Sequence, residues 1–227
     1  MKFSVITSAF NQLPIIKKAK PYWDNQTFKD FEWIIADDGS TDGMGEWAKD
    51  NGLKHVYQVN KGYRLSKILN KAAREACGEY LVWVMGDSYP KEDFLEQLDK
   101  YVDHGSIFTG VRVNVDEAGK VVSPDWRLGS VDISSDVVPI TSPYPWGFMT
   151  LNSMCMGAGV YEKIGGMCEE YETYGREDWD MVMRAHYMGF KSKWIPKALI
   201  FHTAHKEKAE AEKNIKLFEA REERFRV

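Results

Sequence analysis

Residues 79–90 read EYLVWVMGDSYP. Leu81 to Met85 form a short, unbroken apolar run, closed by Gly86 and followed by Pro90. A run this short, bounded in this way, reads as a strand covered on both faces. It ends in Gly86-Asp87-Ser88, so it carries one carboxylate to its carboxyl end, where open α/β sheets bind ligands. A carboxylate is a hard oxygen ligand suited to Mg²⁺ or Mn²⁺, ions that commonly share their coordination sphere with substrate phosphates. Asp is also a common turn and cap residue. From this stretch alone Asp87 is either a metal ligand or the start of a turn.

Upstream, strands and helices alternate. KFSVIT at 2–7 reads as a strand, Ser8 to Asn11 as a loop, and a helix follows from about Pro14, where proline suits a first turn. EWIIA at 32–36 is a second apolar strand and runs into Asp37-Asp38-Gly39-Ser40-Thr41-Asp42-Gly43. The paired acids either cap the next helix, Met44 to about Asn51, or accept hydrogen bonds from a polar ligand at the strand's end. Residues 54–58 give a third strand, in which His55 reads as an ordinary edge residue. Residues 61–76 carry a helical apolar stripe of Leu65, Ile68, Leu69, Ala72, Ala73 and Ala76, with Arg64, Lys67 and Lys71 off it, and Gly78 stops the helix. Four strands alternating with helices predict a parallel, doubly wound sheet with ligand loops along one edge. Neither GxGxxG nor GxxxxGK[ST] occurs, so neither the dinucleotide fingerprint nor the P-loop accounts for that edge.

Downstream, a helix is expected at about 91–103, a strand at 106–115 and a short strand at 120–122. Residues 123–150 read as irregular, the pattern of a lid or binding loop. GAGVYEKIGG at 157–166 suggests a short helix closed by glycine. Helical spacing then starts near Glu177-Asp178 and stops at Gly189. Acids at a helix start either interact favourably with the helix dipole or supply a general base. Two short strands, 191–195 and 198–201, lead to Phe201-His202-Thr203-Ala204-His205. Two imidazoles three residues apart after a strand make either a metal pair or a polar surface cluster. The tail from Lys206 to Arg226 is a charged helix.

Hydrophobic residues at 44% and charged residues at 28% of 227 favour a folded globular chain over disorder. The net charge of -4 argues against a dedicated nucleic-acid binder. Eight Trp and eleven Tyr supply core packing together with surface for flat or ring-shaped ligands. The three cysteines, Cys77, Cys155 and Cys168, form no CxxC pair, which suits a reducing compartment. The first residues lack a leader pattern, and no stretch is long enough to span a bilayer. The expectation is a cytoplasmic chain without a transmembrane segment.

Taken together, SVITSAFNQ, IIADDGSTDG, NKGYRLSKILNKAAREACGEYLVWVMGDSYP and GGMCEEYETYGREDWDMVMRAHYMG followed by FHTAH resemble the nucleotide-sugar-dependent glycosyltransferases of family 2 with the GT-A fold. The carboxyl half is similar to chondroitin-polymerase-like and β-1,4-galactosyltransferase-like enzymes. Five motifs in the same order are more specific than any one of them. The resemblance implies one GT-A domain over 1–227, α/β, with a single Rossmann-like mixed sheet, mostly parallel, and helices on both faces. Residues 1–90 would be the nucleotide-binding half, 91–205 the acceptor-binding half and 206–227 a C-terminal helix.

The family also implies an inverting, hexosyltransferase-type reaction that uses a nucleoside diphosphate sugar, UDP-linked, and a divalent metal, Mn²⁺ or Mg²⁺, held by Asp87, His202 and His205. Asp37 and Asp38 resemble the residues that read the nucleobase, with Thr7, Ser8 and Phe10 packed around it. Arg64 or Lys67 would replace the phosphate-contacting Arg, since Leu69 stands at its usual position. Asp178 resembles the base and Glu177 the residue that orients the acceptor, which is a glycan, a lipid-linked glycan or a modified nucleobase. Met85 stands where the metal motif has its first Asp, and Arg176 where a small residue precedes the Glu-Asp pair. That last change is expected to crowd or recharge the acceptor side. One rival is a nucleotidylyltransferase, which would need a glycine-rich basic loop that SAFNQLP does not provide. Another is a non-catalytic nucleotide-sugar or glycan-binding module with a decayed metal site.

Overall fold

The computed structural model describes residues 1–116, 118–124, 134–203 and 209–226. The amino-terminal half alternates as expected: β1 (Phe3–Ala9), α1 (Leu13–Asp24), β2 (Phe31–Asp37), α2 (Met44–Asp50), β3 (Lys54–Tyr57), α3 (Leu65–Glu75) and β4 (Tyr80–Trp83). There follow β5 (Ser88–Pro90), α4 (Phe94–Asp99), β6 (Ser106–Val115), β7 (Val121–Pro124), β8 (Val138–Pro139), a 3-10 turn (Pro145–Phe148) and β9 (Met154–Gly157). The chain ends with α5 (Ala158–Lys163), α6 (Glu177–Tyr187), β10 (Lys191–Thr203) and α7 (Glu212–Phe225).

Among the described residues the ten strands join one sheet, ordered β3-β2-β1-β4-β9-β6-β10-β5, with β7 on β6 and β8 on β10. β1 pairs in parallel with β2 and β4, β2 with β3, and β6 with β10, whereas β9 is antiparallel to both β4 and β6. The short β5, β7 and β8 are also antiparallel to their neighbours, so the sheet is mixed, and mostly parallel in that β1, β2, β3, β4, β6 and β10 run the same way. β1, β4 and β10 end at one edge because the antiparallel β9 restores the direction of β6.

The 79–90 stretch is covered on both faces. Leu81 and Trp83 join the side that holds Leu69 of α3, Met181 of α6 and Phe218 of α7. Tyr80, Val82 and Val84 join the side that holds Ile16 of α1, Ala48 of α2 and Leu95 of α4. Alternate residues of a strand point to opposite faces, so an unbroken apolar run is what two covered faces require.

Several expected boundaries shift. The 61–76 helix begins only at Leu65, because Arg64 is its N-cap at φ -140° and ψ 49°. The two expected strands at 191–195 and 198–201 are one strand, β10, with an irregularity between Trp194 and Leu199. Pro196 lacks the N–H that a regular ladder needs. On the neighbouring strand Gly110 makes room: a Cβ there would strike the Ala198 carbonyl oxygen. β5 and β9 were not expected as strands. Of the expected 123–150 loop, residues 125–133 lie outside the described residues, and the rest contains β8 and the turn that buries Trp146. The tail helix begins at Glu212, not at 206.

Helix α6 is tied down by Asp180, which is fully buried. Its Oδ2 accepts from Arg184 Nε at 2.7 Å, and its Oδ1 accepts from Arg221 of α7. Arg184 is itself buried and also donates to the Ile164 carbonyl. Removing one partner of a buried pair leaves an uncompensated charge, at a cost of about 3–5 kcal/mol. Asp180→Ala should therefore lower the unfolding free energy by about 3–5 kcal/mol, read as a lower urea midpoint at unchanged slope.

Candidate active site

The carboxyl ends of β1 and β2 are joined by a hydrogen-bonded loop pair. Leu13 N–H donates to Asp42 Oδ2 at 2.8 Å, and Thr41 N–H donates to Asn11 Oδ1 at 2.9 Å. Asp37 is buried, at 1% exposure. Its Oδ1 accepts from the N–H groups of Gly39 (3.1 Å) and Ser40 (2.8 Å), and its Oδ2 lies 2.9 Å from His55 Nε2. Asp38 Oδ1 accepts from Gln58 Nε2 at 2.6 Å, and Oδ2 from the backbone N–H of Arg64 at 3.2 Å. Both acids order the loop that follows β2 and tie it to β3 and the start of α3. His55, which the sequence presents as an ordinary edge residue, is a partner of Asp37, and Gln58 is a partner of Asp38 with no sequence signal of that role.

The other residues expected on the donor side separate. Thr7 is buried, and its hydroxyl accepts from Trp33 Nε1 at 2.9 Å inside the core. Ser8 Oγ donates to Met85 Sδ at 3.3 Å. Phe10 is 48% exposed at the sheet's ligand edge. Arg64 donates through Nη2 to the Val59 carbonyl, and Lys67 is exposed on α3.

Beyond Met85 the chain passes close under β1. A Cβ on Gly86 would lie 2.6 Å from the Ser8 carbonyl oxygen and 2.7 Å from Gln12 Oε1, so only glycine fits there. Asp87 follows. Its Oδ1 accepts from Ser88 Oγ at 3.1 Å, and its carbonyl accepts from Thr203 N–H at 3.0 Å. His202, 8% exposed on β10, places Nε2 3.6 Å from Asp87 Oδ2. A carboxylate oxygen and an imidazole nitrogen thus converge at the end of β4, a donor pair that fits a divalent cation sharing its sphere with phosphate oxygens. No third His, Cys, Asp or Glu completes such a group among the described residues. His205 lies outside them. Met85, hydrogen-bonded by Ser8, adds no oxygen ligand.

The Glu177-Asp178 pair opens α6. Arg176 precedes it in the left-handed region at φ 73°, and Glu177, Asp178 and Asp180 occupy the first turn, where the helix dipole favours negative charge. Asp178 is half-buried, and its Oδ1 accepts from Trp179 N–H at 2.9 Å. Glu177 is 5% exposed, and its Oε1 accepts from the Tyr63 hydroxyl at 2.8 Å across 114 residues of sequence. Burial, reinforced by the charge of Asp178, pushes the Glu177 carboxyl up to about 7. The same surroundings push the Tyr63 phenol well above its usual range, so it stays a donor. Arg176 does not recharge this pair by pointing at it. Its guanidinium lies 3.8 Å from the Trp179 ring centroid, and Nη2 is 2.9 Å from Glu210 Oε2. Tyr63 carries no sequence signal of this role, since its partner Glu177 lies 114 residues away.

Residues 4–156 match the family model described as glycosyl transferase family 2. The chain belongs to this family. Residues 134–207 also match the model described as the N-terminal domain of galactosyltransferase, in the half that carries Glu177 and Asp178. Among similar proteins, glycosyltransferase GlyA of Streptococcus pneumoniae is 30% identical over 106 residues, which is 44% of this chain and 15% of GlyA. The cholesterol galactosyltransferase of Borreliella burgdorferi is 36% identical over 102 residues, 43% of this chain and 28% of that enzyme. EpsE of Bacillus subtilis is 28% identical over 207 residues, 87% of this chain and 71% of EpsE. The S. aureus TarS 1–349 fragment in complex with UDP superposes with a TM-score of 0.75 at 20% identity, covering 99% of this chain and 65% of that one. The same fragment with UDP-GlcNAc gives 0.73 at 21% identity, covering 97% and 66%. At these identities the likeness establishes a shared fold. No helix among the described residues is long and apolar enough to cross a membrane.

The raised Glu177 carboxyl has a consequence for stability. The folded chain holds this proton up to about pH 7, whereas an unfolded Glu releases it near 4.5. Between those values the folded state binds more protons, so stability falls as pH rises through that window and levels off above it. Glu177→Gln should flatten this fall, which urea unfolding at pH 5 and pH 7.5 will read. An equally steep decline in the variant would place its origin elsewhere.

Proposed function

We propose that this chain transfers a hexosyl unit from a UDP-linked donor to an acceptor hydroxyl, with inversion at the anomeric carbon. The observation that carries the reading is the Tyr63–Glu177 hydrogen bond. It ties the acid-bearing start of α6 to the loop that Asp38 holds through the Arg64 amide, which supports a reading in which donor and acceptor would share one edge. The TarS complexes with UDP and UDP-GlcNAc on the same fold support a uridine nucleotide on that edge.

In this reading Asp178 takes the proton from the acceptor hydroxyl. The acceptor oxygen attacks the anomeric carbon from the face opposite the leaving group, the bond to the diphosphate oxygen breaks, and its electron pair leaves with UDP. Glu177 orients the acceptor, and Tyr63 fixes Glu177. Asp37 and Asp38 shape the base-binding loop, Ser8 and Phe10 border it, and Arg64 or Lys67 approaches the diphosphate. Asp87 and His202, with His205, would hold Mn²⁺ or Mg²⁺. When bound, such an ion neutralises charge on the departing diphosphate. The acceptor is a glycan, a lipid-linked glycan or a modified nucleobase.

Two substitutions test the division of labour. Asp87→Ala should abolish Mn²⁺-dependent UDP binding in calorimetry while circular dichroism stays unchanged. Asp178→Asn should retain UDP-sugar affinity while transfer falls by at least about 100-fold, the lower end of what general-base help supplies. Near-normal turnover in Asp178→Asn would refute the base assignment. A wild-type chain that binds UDP-sugars but transfers to nothing in a broad acceptor screen would favour a binding module.

A further inference from the structure

A row of polar side chains crosses four neighbouring strands at the cation end of the sheet. His202 of β10 is in register with Asn114 of β6 and with Ser88 of β5, and Asn114 is in register with Ser123 of β7. Residues in register on adjacent strands present their side chains to the same face, close enough to bond. Here they do. Asn114 Nδ2 donates to Ser123 Oγ at 3.1 Å, and Asn114 Oδ1 lies 3.0 Å from His202 Nδ1. At the far end Ser88 Oγ reaches Asp87 Oδ1.

We propose that Asn114, held by Ser123, is a positioning residue that fixes the tautomer and orientation of His202, so that Nε2 is the nitrogen offered to the cation. The inference rests on the metal-dependent reading above. An amide oxygen can only accept, so a bond between Asn114 Oδ1 and His202 Nδ1 requires the proton on Nδ1. In a ring carrying that one proton, the Nε2 lone pair faces Asp87 Oδ2, 3.6 Å away. A nitrogen lone pair and a carboxylate oxygen facing at that distance repel each other, and a positive ion between them reverses the sign. The row thus prepares two ligands before the ion arrives. Metal-ligating histidines generally donate their second ring N–H to such a partner, and losing that partner costs about 10–100-fold in metal affinity.

The first measurement needs no substitution. Nitrogen-15 spectra of histidine-labelled, metal-free protein, with His202 assigned by its absence in His202→Gln, should show the proton on Nδ1. A His202 protonated on Nε2 alone overturns the proposal. The second is Mn²⁺ titration in the presence of UDP, followed by electron paramagnetic resonance. Asn114→Leu should weaken Mn²⁺ binding by about 10–100-fold while metal-free UDP affinity stays at the wild-type value. Asn114→Asp, which still accepts from Nδ1, should restore it. Unchanged Mn²⁺ affinity in Asn114→Leu overturns this inference alone. Absence of Mn²⁺ affinity in the wild type overturns the metal reading and the inference with it.

Discussion

Strands β1 and β4 lie in the middle of the sheet and are packed by side chains on both faces. A buried polar group without a partner is costly, so polar chemistry in such a sheet is driven to the strand ends. At those ends the backbone still needs partners, and the acids of this chain supply many of them. Asp37 takes the amides of Gly39 and Ser40, Asp38 takes the amide of Arg64, and Asp42 takes that of Leu13. The loops at these strand ends are thus ordered by carboxylates.

The same constraint explains why the two halves of the site are coupled. α6 lies on the side of the sheet that α3 covers, and both contribute to one buried cluster. The loop that starts α3 therefore passes beside the start of α6, and Tyr63 can reach Glu177. A carboxyl that is 5% exposed beside a second carboxyl would be hard to accommodate without a donor, and the phenol provides it.

Much of this was readable from local pattern. β1 to β4, the stripe on α3, the start of α6 at Glu177 and its glycine stop all follow from period, cap and breaker signals that act within a few residues. The short strands β5 and β9 carry no such signal, because their existence depends on antiparallel neighbours far away in sequence. β10 is continuous where the sequence suggested two pieces, because Gly110 on another strand accommodates the irregularity around Pro196. Site residues divide in the same way. Asp87 and His202 stood out by their position after strands. His55, Gln58, Asn114 and Tyr63 did not, since each matters only through a partner brought up by the fold. Asn114 meets His202 across 88 residues, and Tyr63 meets Glu177 across 114. Thr7 erred in the other direction: a polar residue near a ligand loop turned inward to Trp33.

The carboxyl-terminal helix shows how far the start of α6 depends on packing outside it. Asn214 donates to the carbonyls of Thr173 and Gly175, both at 2.7 Å, and Ala211 N–H donates to the Tyr174 carbonyl at 3.1 Å. Arg221 grips Asp180 one turn into α6, and Phe218 packs edge-on against Trp179 and Trp146. Every residue from Thr173 to Gly175 is thereby held through its backbone by α7 or the residue just before it. Arg176 completes the arrangement from within the loop by stacking on Trp179 and pairing with Glu210. In place of the small residue of the family pattern, this chain has an arginine that fastens its own tail. The left-handed turn at Arg176, which aims Glu177 and Asp178, is consequently fixed by contacts from the last seventeen described residues. The charged tail helix is part of what holds the turn ahead of the proposed base.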